Sequence, residues 1–334
     1  MSRNLFQYHP LIGYTFIPGI KARIEHEGGG YLVQANDAGF RCGRQLQAVK
    51  PPATYRILVF GDSFTAGDGV SNRDRYSDQL EDLLPQTEVY NFGLSGTGTD
   101  QQYLIWREFS SKMDHDLVLI GIHLENIRRC AARYRLGQDI SGNFFVHAKP
   151  YFIFEPDGQL TLHHVPTPKD IVPPEQFPAD QHEFVDWSGQ RQRHAWLRKS
   201  INRMGPGVKD LVQRWSKYQP LPEYDDPHHP AWLLMKAILR KWSGELTRPA
   251  IIFPMPLYQY IEETASPQGV QARFAELADL PNCTIYDPLP DLRSYSPEER
   301  RGFRYPHDLH YSPRGHKALA ESLAKPIGRL RQHH

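Results

Sequence analysis

Ser63 stands where an apolar run stops, in "RILVFGDSFTAGDG", and Asp308 and His310 flank a single residue in "RYPHDLHYSPRGH". An alcohol is a weak nucleophile at neutral pH, so it needs a base within hydrogen-bond reach and a third group to orient that base. Residues two apart in an extended segment point to the same side, so the Asp308 carboxylate can hold the His310 imidazole. The far ring nitrogen is then left to take the serine proton. Two further stretches supply donors for a developing oxyanion: the N–H of Gly93 or a neighbour in "NFGLSGTGTD" and the side-chain amide of Asn126 in "GIHLENIRR". With the N–H of Ser63 these make three. Asp62 reads as a residue that holds the turn by accepting backbone N–H groups, and His123 as a satisfied histidine at a strand end; both are candidate site-lining residues. His307 lacks an aspartate on its N-terminal side, and His316 falls in a helical pattern, so it is expected in packing.

Such residues must be positioned by elements, and the chain supplies an alternation of them. Ile57–Phe60 read as a buried strand, followed by a turn and then a helical pattern carrying Tyr76, Leu80, Leu83 and Leu84. "EVYNFGLSGTGTD" is a strand ending in a glycine-rich loop, "QQYLIWREF" a helical stretch, and "DLVLIGIHL" the next strand. "RPAIIFPMP" and "CTIYDPLP" continue the strands, and "GHKALAESLAKPIGRLRQ" closes the chain as a helix. Repeated strand, loop and helix units imply an α/β fold with a parallel sheet covered on both faces. A strand-to-helix turn lifts its side chain to the carboxyl edge of that sheet, where Ser63 would then lie.

Residues 1–50 are rich in glycine, aromatics and β-formers and read as an N-terminal β-rich arm, joined by "KPPATY" to a main domain over 51–334. The alternation breaks over 131–247, which reads as an insertion of the kind that forms a lid or wall. Within it "YFIFEPDGQLTLHHV" predicts a hairpin turning at Pro156–Gly158, and "VKDLVQRWSKY" and "WLLMKAILRKW" predict helices.

Taken together the blocks resemble the SGNH hydrolases, the GDSL family of esterases and acyltransferases. "GDSFTAGDG" resembles the first block with Ser63 as nucleophile, "NFGLSG" the second with Gly93, "LEN" the third with Asn126, and "DLHYSPRGH" the fifth with Asp308 and His310. "HPLIGY" and "NDAGFR" resemble the leader of bacterial members. The resemblance implies a three-layer α/β/α flavodoxin-like fold and cleavage of O-acyl esters through an acyl-enzyme. Two departures stand out. The third block of the family reads Gly-x-Asn-Asp where this chain has Leu-Glu-Asn-Ile, and Asp308 lies two before His310 where three is commoner. The spacing of two is also that of members acting on exopolysaccharides, which favours a carbohydrate O-acyl substrate, most simply an O-acetyl ester.

Composition narrows the partners. With 39 basic and 38 acidic side chains the formal net charge is +1, which gives no bulk attraction to nucleic acid or anionic membranes. A small-molecule or carbohydrate ester is the expected partner. No run approaches the ~18 apolar residues of a membrane span, and the N-terminus shows no signal-peptide pattern, so a cytoplasmic location is expected. Cys42, Cys130 and Cys283 fit neither a disulfide framework nor a zinc pattern, and the adjacent pairs His163–His164 and His228–His229 point to opposite sides of an extended segment; neither a metal nor a cofactor is expected. The competing functions are transfer of the acyl group to a sugar or natural-product hydroxyl, and carbohydrate binding without catalysis.

Overall fold

The computed structural model describes residues 4–139, 141–187 and 219–332. The arm is a pair of antiparallel hairpins, β1 (Phe6–His9) with β2 (Gly13–Phe16), and β3 (Lys21–Ile24) with β4 (Tyr31–Gln34). It does not stand apart, since Ile12, Phe16, Val33 and Phe40 join the same buried cluster as the main sheet.

The main domain then alternates β5 (Tyr55–Phe60), α1 (Ser63–Ala66), α2 (Tyr76–Leu83), β6 (Thr87–Asn91), α3 (Thr99–Ile105), β7 (Leu117–His123) and α4 (Asn126–Ala131). The stretch 131–247 then holds β8 (Tyr134–Gln138), β9 (Phe144–Ala148), β10 (Tyr151–Phe154), β11 (Leu160–His163), β12 (Ile171–Val172) and β13 (Val185–Asp186). Strands β10 and β11 form the predicted hairpin, and the others a small sheet in the order β12-β9-β8-β13. The predicted helix "VKDLVQRWSKY" lies outside the described residues. The second, "WLLMKAILRKW", forms within α5 (Pro230–Glu245). Although α5 falls inside 131–247, its Trp232, Met235, Ile238 and Trp242 belong to the main buried cluster, and α5 packs on α3 and α4 as a crossover helix of the main sheet. The chain finishes with β14 (Ala250–Met255), α6 (Gln268–Ala275), β15 (Cys283–Ile285) and α7 (Pro313–Arg331).

Strands β15, β14, β7, β5 and β6 lie in that order and pair in parallel throughout. Counted by sequence this is the flavodoxin-like order 2-1-3-4-5, a doubly wound α/β sheet. The physical reason is visible in the residues: Leu117–His123 and Ala250–Met255 are buried along their whole length, as strands covered by helices on both faces must be. Helices α2 and α7 pack together, as do α3, α4 and α5. The order reverses between β5 and β7, and the crevice beyond the carboxyl ends of those two strands is where such sheets bind ligands. Ser63 follows β5 and Asn126 follows β7.

Candidate active site

Ser63 opens α1, and the turn that carries it is held by its neighbour. Asp62 is the N-cap residue, accepting the Phe64 N–H on Oδ1 at 3.0 Å, so the cap is Asp62 and the serine hydroxyl is left for other work. Helix α1 stops after four residues at Gly67, whose φ of +81° closes it and whose absent Cβ leaves room for the Arg75 side chain.

The Ser63 hydroxyl and His310 Nε2 lie 2.8 Å apart, and His310 Nδ1 lies 2.6 Å from Asp308 Oδ1. The same Asp308 oxygen accepts the His310 backbone N–H at 3.0 Å, so one short segment fixes the aspartate and histidine to each other. With Nδ1 bonded to a carboxylate, the proton sits on Nδ1 and Nε2 faces the serine as acceptor. Burial works to raise the Asp308 carboxyl, but the bonds and charge of His310, with a bond from His26, hold it well below the usual carboxylate range. Burial likewise acts to lower His310, and Asp308, with Asp68 and Asp62 behind it, outweighs this and holds the imidazole above its ordinary value.

Asn126 is fully buried at the start of α4. Its Oδ1 accepts from Arg129 at 3.2 Å while its Nδ2 donates to no group among the described residues, so the amide is oriented with donors to spare. Arg129 also bonds the buried Asp62 carboxylate through the same nitrogen and lies 3.7 Å from Glu125 and 3.8 Å from Asp186. It thus joins the Ser63 turn to the Asn126 helix. Arg129 belongs to no motif of its own, and its position one helical turn after Asn126, on the same face, is the sequence signal that marks it.

Gly93 is brought alongside but does another job. Its N–H donates to Asn91 Oδ1 at 2.8 Å, and a Cβ there would fall 2.4 Å from the Ala66 nitrogen. It is the glycine that lets the loop after β6 lie against α1, with its own N–H committed. In the same loop the N–H groups of Ser95 and Gly96 donate to no group among the described residues, as does that of Ser63. Ser95 Oγ donates to Asp68 at 2.7 Å, which ties this loop to the turn after α1. Across it lies the small sheet that contains β8: a Cβ on Gly96, where φ is +78°, would strike the guanidinium of Arg135 from that strand.

His123 is buried and stacks on Phe64 at 4.2 Å, while His310 meets the same ring at 4.7 Å, so Phe64 lies between the two imidazoles. It differs from the expected satisfied histidine. Its Nδ1 lies 3.4 Å from Asp62 Oδ2 without forming a hydrogen bond, and burial lowers its pKa to about 4. Asp62 is opposed by burial yet held below its ordinary value by His123, Arg129 and the Phe64 N–H. Because His123 is neutral at pH 7, Arg129 supplies the balancing charge. His316 packs as expected, fully buried with Nδ1 accepting the Tyr76 N–H at 3.2 Å, and His307 is exposed. His164 Nδ1 meets the Lys149 carbonyl and His229 caps α5; among the described residues no three His, Cys, Asp or Glu side chains form a metal cluster. No described helix is long and apolar enough to cross a membrane.

No known family profile and no curated protein matches this sequence. Solved structures do. The chain is similar to a lipolytic G-D-S-L family protein from Veillonella parvula, at 10% identity over 83% of this chain and 100% of that one, with a TM-score of 0.43. It is also similar to a lipase/acylhydrolase from Enterococcus faecalis, at 14% identity over 83% and 97% of the two chains with a TM-score of 0.40. An acetylxylan esterase from Geobacillus stearothermophilus matches at 14% identity over 83% and 97%, with a TM-score of 0.40.

Proposed function

We propose that this chain is a serine ester hydrolase of the SGNH type, removing an O-acyl group, an O-acetyl in the simplest case, from a carbohydrate through an acyl-enzyme on Ser63. The observation that carries this reading is the relay from the Ser63 hydroxyl to His310 Nε2 at 2.8 Å and from His310 Nδ1 to Asp308 at 2.6 Å, at the switch point of the sheet. Ser63 Oγ attacks the ester carbonyl as its proton passes to His310 Nε2. The resulting oxyanion is met by the N–H of Ser63, the Nδ2 of Asn126 and the N–H of Ser95 or Gly96, a neighbour of Gly93 with no acceptor among the described residues, since the Gly93 N–H is committed to Asn91. Collapse breaks the C–O bond, and His310 returns its proton to the departing alcohol. Water then attacks the acyl-enzyme with His310 again as base, releasing the acid and restoring Ser63. The carbohydrate part rests on the two-residue spacing of Asp308 and His310.

The test is p-nitrophenyl acetate hydrolysis together with mass spectrometry after a serine-directed phosphonate. The intact protein should turn over the ester and gain one adduct at Ser63, and Ser63→Ala should lose both, with a fall in rate of at least about a thousandfold. Equal rates for the two proteins would sink the reading. With an acetylated oligosaccharide and a glycan acceptor, free acetate is expected; an acylated acceptor in its place would make the protein a transferase.

A further inference from the structure

The arm reaches the catalytic aspartate. His26, from the turn between β3 and β4, places Nε2 at 3.0 Å from Asp308 Oδ2, the carboxylate oxygen that His310 leaves free. The Gly28 N–H donates to His26 Nδ1 at 3.2 Å, and an N–H group can only donate. Nδ1 is therefore the bare nitrogen, Nε2 carries the hydrogen, and His26 is a neutral donor to Asp308. Its side chain is 11% exposed and is fixed on two sides, by the Tyr305 ring edge-on at 4.4 Å and by Tyr31 at 5.8 Å. Tyr305 in turn donates to the Gly69 carbonyl at 2.8 Å, in the turn that follows α1. Next to His26, Glu27 accepts the backbone N–H of Asp308 at 2.5 Å and that of His307 at 3.0 Å.

We propose that His26 is a fourth, positioning member of the relay, so that the order runs Ser63, His310, Asp308, His26, and that the arm thereby completes the site. This rests on the esterase reading above. A carboxylate held only through Oδ1 is free to turn about its Cβ–Cγ bond, and each turn takes the His310 ring with it. A donor on Oδ2 stops that rotation. Because the donor is uncharged, Asp308 keeps its full negative charge for the imidazolium that forms when His310 takes the serine proton. Orientation of this kind acts on the chemical step and leaves ester binding untouched.

The experiment compares the full-length protein with His26→Ala and His26→Gln on p-nitrophenyl acetate. Glutamine carries its amide nitrogen three bonds beyond Cβ, as the imidazole carries Nε2, so it can restore the bond to Asp308. His26→Ala should lower kcat about tenfold with KM within about twofold, and His26→Gln should recover most of the loss, both variants showing the melting temperature of the parent. The proposal is overturned if His26→Ala keeps the parent kcat, if KM rises in place of the fall in kcat, or if glutamine is as slow as alanine. Should alanine loosen the fold, Ile327→Ala, a buried position toward the far end of α7, is the control: at an equal melting temperature it should keep the parent kcat while His26→Ala does not, and equal slowing of the two overturns the proposal. A parent protein with no activity and no Ser63 adduct would instead overturn the esterase reading.

Discussion

In the proposed reaction His310 serves as a base only when neutral, and its surroundings decide at which pH that is. Its pKa is held above the ordinary 6.5 because the bond and charge of Asp308 outweigh burial. The acid limb of kcat/KM for acetyl ester hydrolysis is therefore expected to have its midpoint above 6.5, with activity falling as pH drops through it. Asp308→Asn should move that midpoint below the parent value, because the group that stabilises the imidazolium loses its charge, and should lower kcat by about a thousandfold or more. An unshifted limb in a pH-rate series would show that Asp308 does not act on His310. The same residues show what a motif conveys. Two positions of separation were enough to pair Asp308 with His310, since their contact is local. Gly93 was legible as a glycine the loop requires, but the destination of its N–H depended on Asn91, and only the folded loop shows that bond.

Between elements, the turn after β5 and the helix after β7 are coupled through one guanidinium. Arg129 bonds the Asp62 carboxylate and the Asn126 Oδ1 together, so the turn that carries Ser63 and the Asn126 amide share a fastening. Asp62 is fully buried, and deleting the partner of a buried charge costs about 3–5 kcal/mol. Arg129→Met should reduce unfolding free energy by that order in urea titration; a loss under about 1 kcal/mol would show that Asp62 has another counter-charge. The strands and helices flanking this pair were readable from runs of buried residues, because periodicity is set by local geometry. The role of α5 was not. Its pattern showed an amphipathic helix, while its place as a crossover of the main sheet depends on β7 and β14 lying side by side across more than a hundred residues of chain.

At the scale of the molecule, buried histidines make the fold sensitive to acid. His123 and His147 are each lowered to about 4 and His316 to about 3, and His9, His115 and His164 are lowered too, in each case chiefly by burial. Unfolded, each titrates near 6.5, so below that pH the unfolded chain takes up protons that the folded one refuses, and stability falls. His310 acts in the opposite sense, contributing stability below 6.5 that is lost as pH rises through its raised pKa. Six such groups outweigh one, and the urea midpoint is expected to drop steadily from pH 7 to pH 5; a flat or rising midpoint would contradict this. The α/β alternation, the turn that bears Ser63 and the pairing of Asp308 with His310 were legible in the amino-acid order, since each depends on neighbours in the chain. That His26 reaches Asp308, that Arg129 joins Asp62 to Asn126, and which N–H groups find no acceptor among the described residues are set by tertiary packing. Those contacts join residues as many as 282 positions apart, and their partners are chosen by packing, which no local pattern encodes.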